Sequence, residues 1–118
     1  MTTTPSSTTC SRGDVVFVGV RFTDGSGVKQ RPAVVVSVEG VHVSRADALI
    51  VPLTTRLATQ RYGDRLLRDW AEAGLPRASM AKGVIETVDR SRFGRTLGRV
   101  NDRDLQQVES SLRMVLGL

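Results

Sequence analysis

The chain has 118 residues, 17 Lys and Arg against 12 Asp and Glu, a net charge of +5 and 4% aromatic residues. That length predicts one domain with its own core. A lone cysteine excludes an internal disulfide, and a lone histidine excludes a structural zinc cluster or a two-histidine acid–base pair.

Residues 1–12 are polar and rich in Ser and Thr, hold Cys10, and lack the apolar segment of a signal peptide. They read as a disordered tail, which leaves 13–118 as a single domain. No run approaches membrane-spanning length, and without a cysteine framework the reducing cytoplasm is the expected location.

Residues 14–20 read as a strand with apolar residues on both faces. Residues 21–30 contain Thr23-Asp24-Gly25-Ser26-Gly27, the chemistry of a turn or loop. Then comes Lys29-Gln30-Arg31-Pro32-Ala33-Val34-Val35-Val36-Ser37. Pro32 has a fixed φ and no N–H, which suits the first position of a strand over 32–38. The residue before a proline is pushed into extended geometry, so Arg31 is held stiffly. Val34 and Val36 face one way and Ala33 and Val35 the other, as in a strand covered on both sides. A guanidinium fixed at the mouth of such a strand is well placed to meet a phosphate. On the residues alone, a plain surface arginine is the more economical reading.

Residues 39–45 include Gly40 and read as a hairpin return or loop, with His42 an ordinary surface or hairpin residue. Residues 48–53 form a third strand, with Pro52 marking an edge or a bulge and Thr54-Thr55 at its end. Residues 56–64 are polar, with Arg56, Arg61 and Arg65 close together. Residues 69–73 suggest a short helix stopped by Gly74 and Pro76, with Trp70 anchoring it in the core. Residues 79–88 read as a strand, 89–92 as a turn or a single helical turn, and 95–100 as a strand in which Gly98 lets another backbone approach. The last segment is the clearest helix. Asn101 or Asp102 caps it, Leu105, Val108, Leu112, Val115 and Leu116 form one stripe, and Gly117 ends it. Many short strands followed by one amphipathic helix predict a mainly β, partly open barrel packed by a C-terminal helix.

No phosphate-binding G-x-x-x-x-G-K-[ST] loop, dinucleotide fingerprint or acidic cluster for two metals is present. A chain like this that cuts a phosphodiester must use arginine, lysine and hydroxyls, with neither metal nor cofactor. RNA permits that chemistry because its 2′-OH is an internal nucleophile. Arg31 would neutralise phosphoryl charge, and Thr54 or Thr55 would hydrogen-bond a non-bridging oxygen.

Arg12-Gly13-Asp14-Val15-Val16-Phe17-Val18, the glycine-containing loop and the Arg31–Ser37 run resemble the start of the MazF/PemK toxins. Val51-Pro52-Leu53-Thr54-Thr55 resembles their third-strand motif. The segment from Asp69 to Ser79, Thr87-Val88-Asp89 and Leu97-Gly98-Arg99-Val100 with the last helix are also similar. Each motif is modest; their order and spacing from Arg12 to Leu118 make the signal specific.

The resemblance implies an SH3-like, partly open antiparallel barrel of MazF/PemK/CcdB type with short helices, acting as a homodimer. It implies a sequence-specific, metal-independent endoribonuclease of a type II toxin–antitoxin system, held inactive by a small antitoxin. Such an enzyme cleaves single-stranded RNA to a 2′,3′-cyclic phosphate and a 5′-hydroxyl. The family's strand-start arginine falls on Arg31, also placed to protonate the leaving 5′-oxygen. The phosphate-contacting threonine falls on Thr54, with Thr55 beside it. Lys82 is the nearest match to an arginine of some members, and Lys29, Arg56, Arg61 and Ser79 are further candidate RNA contacts. Many members carry a glutamate in the first loop; here it reads Gly25-Ser26-Gly27-Val28, so the general base is unassigned. The alternatives are a non-catalytic toxin like CcdB, which binds a protein target such as DNA gyrase, and a degenerate relative that only binds its partner.

Overall fold

The structure, a computed structural model, describes residues 9–21 and 25–118. Positions 1–8 of the expected tail, and Thr23 and Asp24 of the expected loop, lie outside the described residues. The elements are β1 (Asp14–Arg21), β2 (Val28–Val35), α1 (Glu39–Ser44), β3 (Asp47–Thr54), β4 (Arg65–Leu66), β5 (Met80–Ala81), β6 (Glu86–Asp89), a 3-10 turn (Arg90–Arg92), β7 (Phe93–Arg99) and α2 (Asp102–Leu116). All pairings are antiparallel. The sheet runs β4-β5-β3-β2-β1-β7, and β6 lies beside the first half of β3.

The alternation read from the valine runs is realised on both faces. Val16, Val18, Ala33, Val35, Ala48, Ile50, Val88 and Phe93 form one buried cluster. Val15, Val34, Val51 and Leu53 form the other, with Leu75, Ala81, Val100 and Val108. Each fully buried valine or leucine contributes ~1.5–3 kcal/mol, so these strands carry most of the fold's hydrophobic stabilisation. Trp70, Leu105 and Leu112 pack against the second cluster, as expected for a core anchor and a helix stripe. The stripe stops short, however: Val115 and Leu116 are exposed.

α2 starts as its sequence predicts, with Asn101 Oδ1 accepting from the Asp104 N–H and Gly117 in the left-handed region at its end. Gly98 is also as expected: a Cβ there would run into the Ala73 carbonyl. The 3-10 turn is capped by Asp89, whose carboxylate accepts from the Ser91 N–H.

Other segments differ. β2 begins at Val28 rather than Pro32, because β1 pairs with it from Val28 onward and needs no donor from Pro32 on the opposite edge. Residues 39–45 are not a hairpin return; six of them form α1, a helix with no side-chain N-cap. Its C-terminal end is held from outside, where the Arg90 guanidinium donates to the carbonyls of His42, Arg45 and Ala46. The expected helix at 69–73 is a run of turns. Its entry is fixed by Asp104, whose carboxylate accepts from the N–H groups of Arg68 at 3.0 Å and Asp69 at 2.9 Å. The expected strand at 79–88 is broken into β5 and β6, because the Gly83 N–H turns aside to the Asp64 carboxylate. At the start of the described chain, Arg12 pairs with Glu109 on α2 and Cys10 faces His42, so contact with the fold begins by Cys10.

Candidate functional site

Two prolines shape the end of the β2–β3 ladder. The Val36 N–H donates to Leu49 O on the β3 side, and backbone direction repeats every second residue, so the nitrogen of Pro32 also faces β3. It has no hydrogen to give, and the ladder ends at Ala33↔Pro52. On the other edge of β3, Pro52 O accepts from the Lys82 N–H at 3.0 Å, while pairing is interrupted between β6 and β5. The register Ala33↔Pro52, Val34↔Val51, Val35↔Ile50, continued by two residues, sets Arg31 opposite Thr54. Directly opposed residues share a face, here the polar rim beyond Ala33 and Ile50. Arg31 is exposed, its backbone paired with Val18 on β1. Among the described residues no carboxylate pairs with it.

Thr54 is half-buried opposite Met80 of β5. Its Oγ1 accepts from the Arg56 N–H at 3.1 Å, which leaves the hydroxyl hydrogen available to an incoming acceptor. Beside it opens a cavity of about 420 Å³, lined among others by Thr54, Arg56, Arg61, Tyr62, Asp64 and Lys82. Its far wall is a pinned turn. Asp64 Oδ2 accepts from the Arg61 N–H at 2.8 Å, and Oδ1 accepts from the Gly83 N–H at 2.8 Å. Gly63, in the left-handed region, stacks directly on Gly83, where a Cβ would lie 2.8 Å from the Gly63 backbone. With both oxygens of Asp64 engaged, three cations face the cavity against one committed carboxylate. The arrangement suits an anion, and the guanidiniums suit a phosphate.

A family model for the PemK-like, MazF-like toxins of type II toxin–antitoxin systems matches residues 11–116. The chain belongs to this toxin family. No curated protein matches the chain. Several solved structures share its fold. An endoribonuclease from a mycobacterial species, in complex with its cognate antitoxin, is 23% identical with a TM-score of 0.74, over 93% of this chain and 97% of that one. A MazE–MazF structure from Deinococcus radiodurans is 23% identical with a TM-score of 0.75, over 92% and 97%. The toxin MazF-mt6 of Mycobacterium tuberculosis is 17% identical with a TM-score of 0.72, over 89% and 97%.

For this MazF/PemK-family toxin, the residues named from sequence divide into two groups. Thr54, Arg56, Arg61 and Lys82 share the cavity, while Arg31 is outside its lining and falls opposite Thr54 only when the register is extended past Ala33↔Pro52. Lys29 is exposed on β2, on the same face as Arg31, and Thr55 is exposed beyond the strand end. Ser79 is buried, and its hydroxyl donates to the Arg77 carbonyl at 2.9 Å, the geometry of a turn residue. Sequence reading passed over Tyr62, Asp64 and the Gly63–Gly83 contact. A glycine inside a strand pattern, as at Gly83, was the available signal for a break or a close backbone approach.

His42 also differs from expectation. It is buried on α1, with Nε2 2.5 Å from Ser37 Oγ and Cys10 Sγ 3.8 Å from Nδ1. Ser37 Oγ accepts from the Leu49 N–H and shares its second hydrogen bond with His42 Nε2. This serine is sealed from solvent and joins α1 to β3; it is no nucleophile. Burial also raises the pKa of Cys10, which disfavours a thiolate there. For His42, burial and then the Arg90 guanidinium push the pKa below 6.5, while Glu39 and Asp14 pull the other way by less. The unfolded chain therefore takes up a proton near 6.5 that the folded chain resists. Stability is full above that value and declines as the pH falls below it. The thermal midpoint should drop between about pH 6.5 and 5, and His42→Gln should flatten that slope. An identical slope in the variant would remove His42 as its source.

Proposed function

We propose that this toxin is a metal-independent, sequence-specific endoribonuclease acting on single-stranded RNA. What supports the reading is the β2–β3 register: extended two residues past the end of the ladder, it brings Arg31, exposed and without a carboxylate partner among the described residues, opposite Thr54, whose Oγ1 accepts from the Arg56 N–H. The cavity beside Thr54 is lined by the cations of Arg56, Arg61 and Lys82. In the reaction the RNA 2′-oxygen attacks the adjacent phosphorus, the P–O2′ bond forms and the P–O5′ bond breaks. The 2′-proton leaves to a general base, and the 5′-oxygen gains a proton. Arg31 stabilises the charge that builds on the phosphoryl oxygens and donates to the departing 5′-oxygen. Thr54 fixes a non-bridging oxygen, and Lys82 adds positive potential. The donor set suits a reaction without metal: among the described residues no three His, Cys, Asp or Glu side chains come together to hold an ion.

The proposed assembly is a cytoplasmic homodimer restrained by an acidic antitoxin segment that covers the basic rim around Arg31. The enzymatic reading is tested with purified protein and mixed-sequence RNA in excess chelator. Cleavage at a defined sequence should leave 5′-hydroxyl ends that polynucleotide kinase labels without prior phosphatase. An absolute requirement for magnesium would overturn the mechanism. Growth arrest with intact RNA would favour the non-catalytic toxin instead.

A further inference from the structure

We propose that Tyr62 is the base-stacking residue of this toxin and holds one nucleobase beside the scissile phosphate. The inference rests on the endoribonuclease reading above and assigns a base-positioning element to its site. Contacts to phosphate carry no sequence information, so Arg31, Thr54 and Lys82 alone would bind any RNA alike. A base contact is needed, and the cavity offers one group made for it.

Tyr62 is the chain's single tyrosine and the one fully exposed aromatic ring among the described residues, at 74%. It lines the same cavity as Thr54 and Lys82. Its neighbours in sequence are immobilised on both sides. The Arg61 N–H donates to Asp64, the Asp64 N–H returns to Arg61 O at 3.0 Å, and Gly63 is pressed on Gly83. The ring is therefore carried on a rigid platform while its faces stay open. A planar π-surface so placed accepts another planar surface at small entropic cost. The flanking cations, Arg56, Arg61 and Lys82, select a partner that brings negative charge with that surface, which is a nucleotide. At about 420 Å³ the cavity lies in the ordinary range for one small ligand. The exposed side chains of Leu57 and Val84 nearby would suit an apolar peptide, but the charges at the mouth favour RNA.

The test is a scan of single abasic sites through a cleaved oligonucleotide, which removes one base and keeps its ribose and phosphates. At one position next to the cut, the wild type should lose about 10-fold or more in kcat/KM, within the range of a single base–aromatic stack. Tyr62→Ala should show that same loss on the intact RNA and no further loss on the abasic one. Tyr62→Phe should behave as wild type, and Tyr62→Leu as the alanine variant. Circular dichroism of each variant should match wild type, since the side chain is largely exposed and lies outside both core clusters. If Tyr62→Ala cleaves intact RNA like wild type, or its loss multiplies with the abasic loss at every position, the inference is overturned. Normal cleavage by Tyr62→Ala combined with weakened binding of an acidic peptide partner would assign the ring to that partner instead. If the wild type cleaves no RNA at all, the endoribonuclease reading falls and takes this inference with it.

Discussion

Arg31→Ala is expected to reduce kcat for RNA cleavage by about 10²–10³-fold, the usual cost of deleting one preorganised donor to a developing oxyanion. The fold should be untouched, because Arg31 is exposed and pairs with no carboxylate among the described residues. Its thermal midpoint should match wild type. Arg31→Lys should recover only part of the loss, since an ammonium keeps the charge without the planar fork. Thr54→Val should lower kcat less severely and Thr54→Ser should restore it, because serine keeps both the donor hydroxyl and the acceptor for the Arg56 N–H. Full cleavage by Arg31→Ala would remove the guanidinium from the reaction and with it the proposed mechanism.

The second large effect is on stability. Asp104 is 2% exposed, and its carboxylate accepts from two backbone N–H groups, those of Arg68 and Asp69. Hydrogen bonds to a charged acceptor contribute ~1.5–3 kcal/mol each, so Asp104→Ala should destabilise the fold by about 3–5 kcal/mol. That is a large share of the ~5–15 kcal/mol typical of a domain. Chemical denaturation at neutral pH measures it directly. Asp104→Asn should fall between the two, since one oxygen remains to accept while the amide brings an unwanted donor. A loss under about 1 kcal/mol would mean that the turn over residues 68–74 holds itself together without α2.

These two residues show where sequence reading succeeds and where it stops. β1, the core of β2, β3, β7 and α2 were visible because their patterns are local: β-branched runs, a capping asparagine, a stripe at helical spacing. α1 was invisible because it is short and valine-rich, and its last carbonyls are held by Arg90 from across the fold. The break between β5 and β6 depends on Asp64, nineteen positions upstream of Gly83. Asp104 reads as an ordinary first-turn acid of α2, yet its partners lie thirty-five and thirty-six positions back. The site follows the same rule. Arg31 and Thr54 were named through a family likeness, and the β2–β3 register that relates their positions is a long-range property of the sheet. The cavity wall built by Tyr62, Gly63 and Asp64 arises from contacts that no neighbouring residue announces.

The prolines at positions 32 and 52 bear on a different problem, the choice among alternative alignments of β2 and β3. Hydrophobic alternation normally forbids sliding one strand past its neighbour, because a one-residue shift turns the wrong side chains inward. Here both faces are greasy, so that safeguard is weak. A shifted strand would instead bring a nitrogen without hydrogen to where the ladder demands a donor. The two imino acids thereby oppose such a slip, and with it any displacement of Arg31 along β3 relative to Thr54.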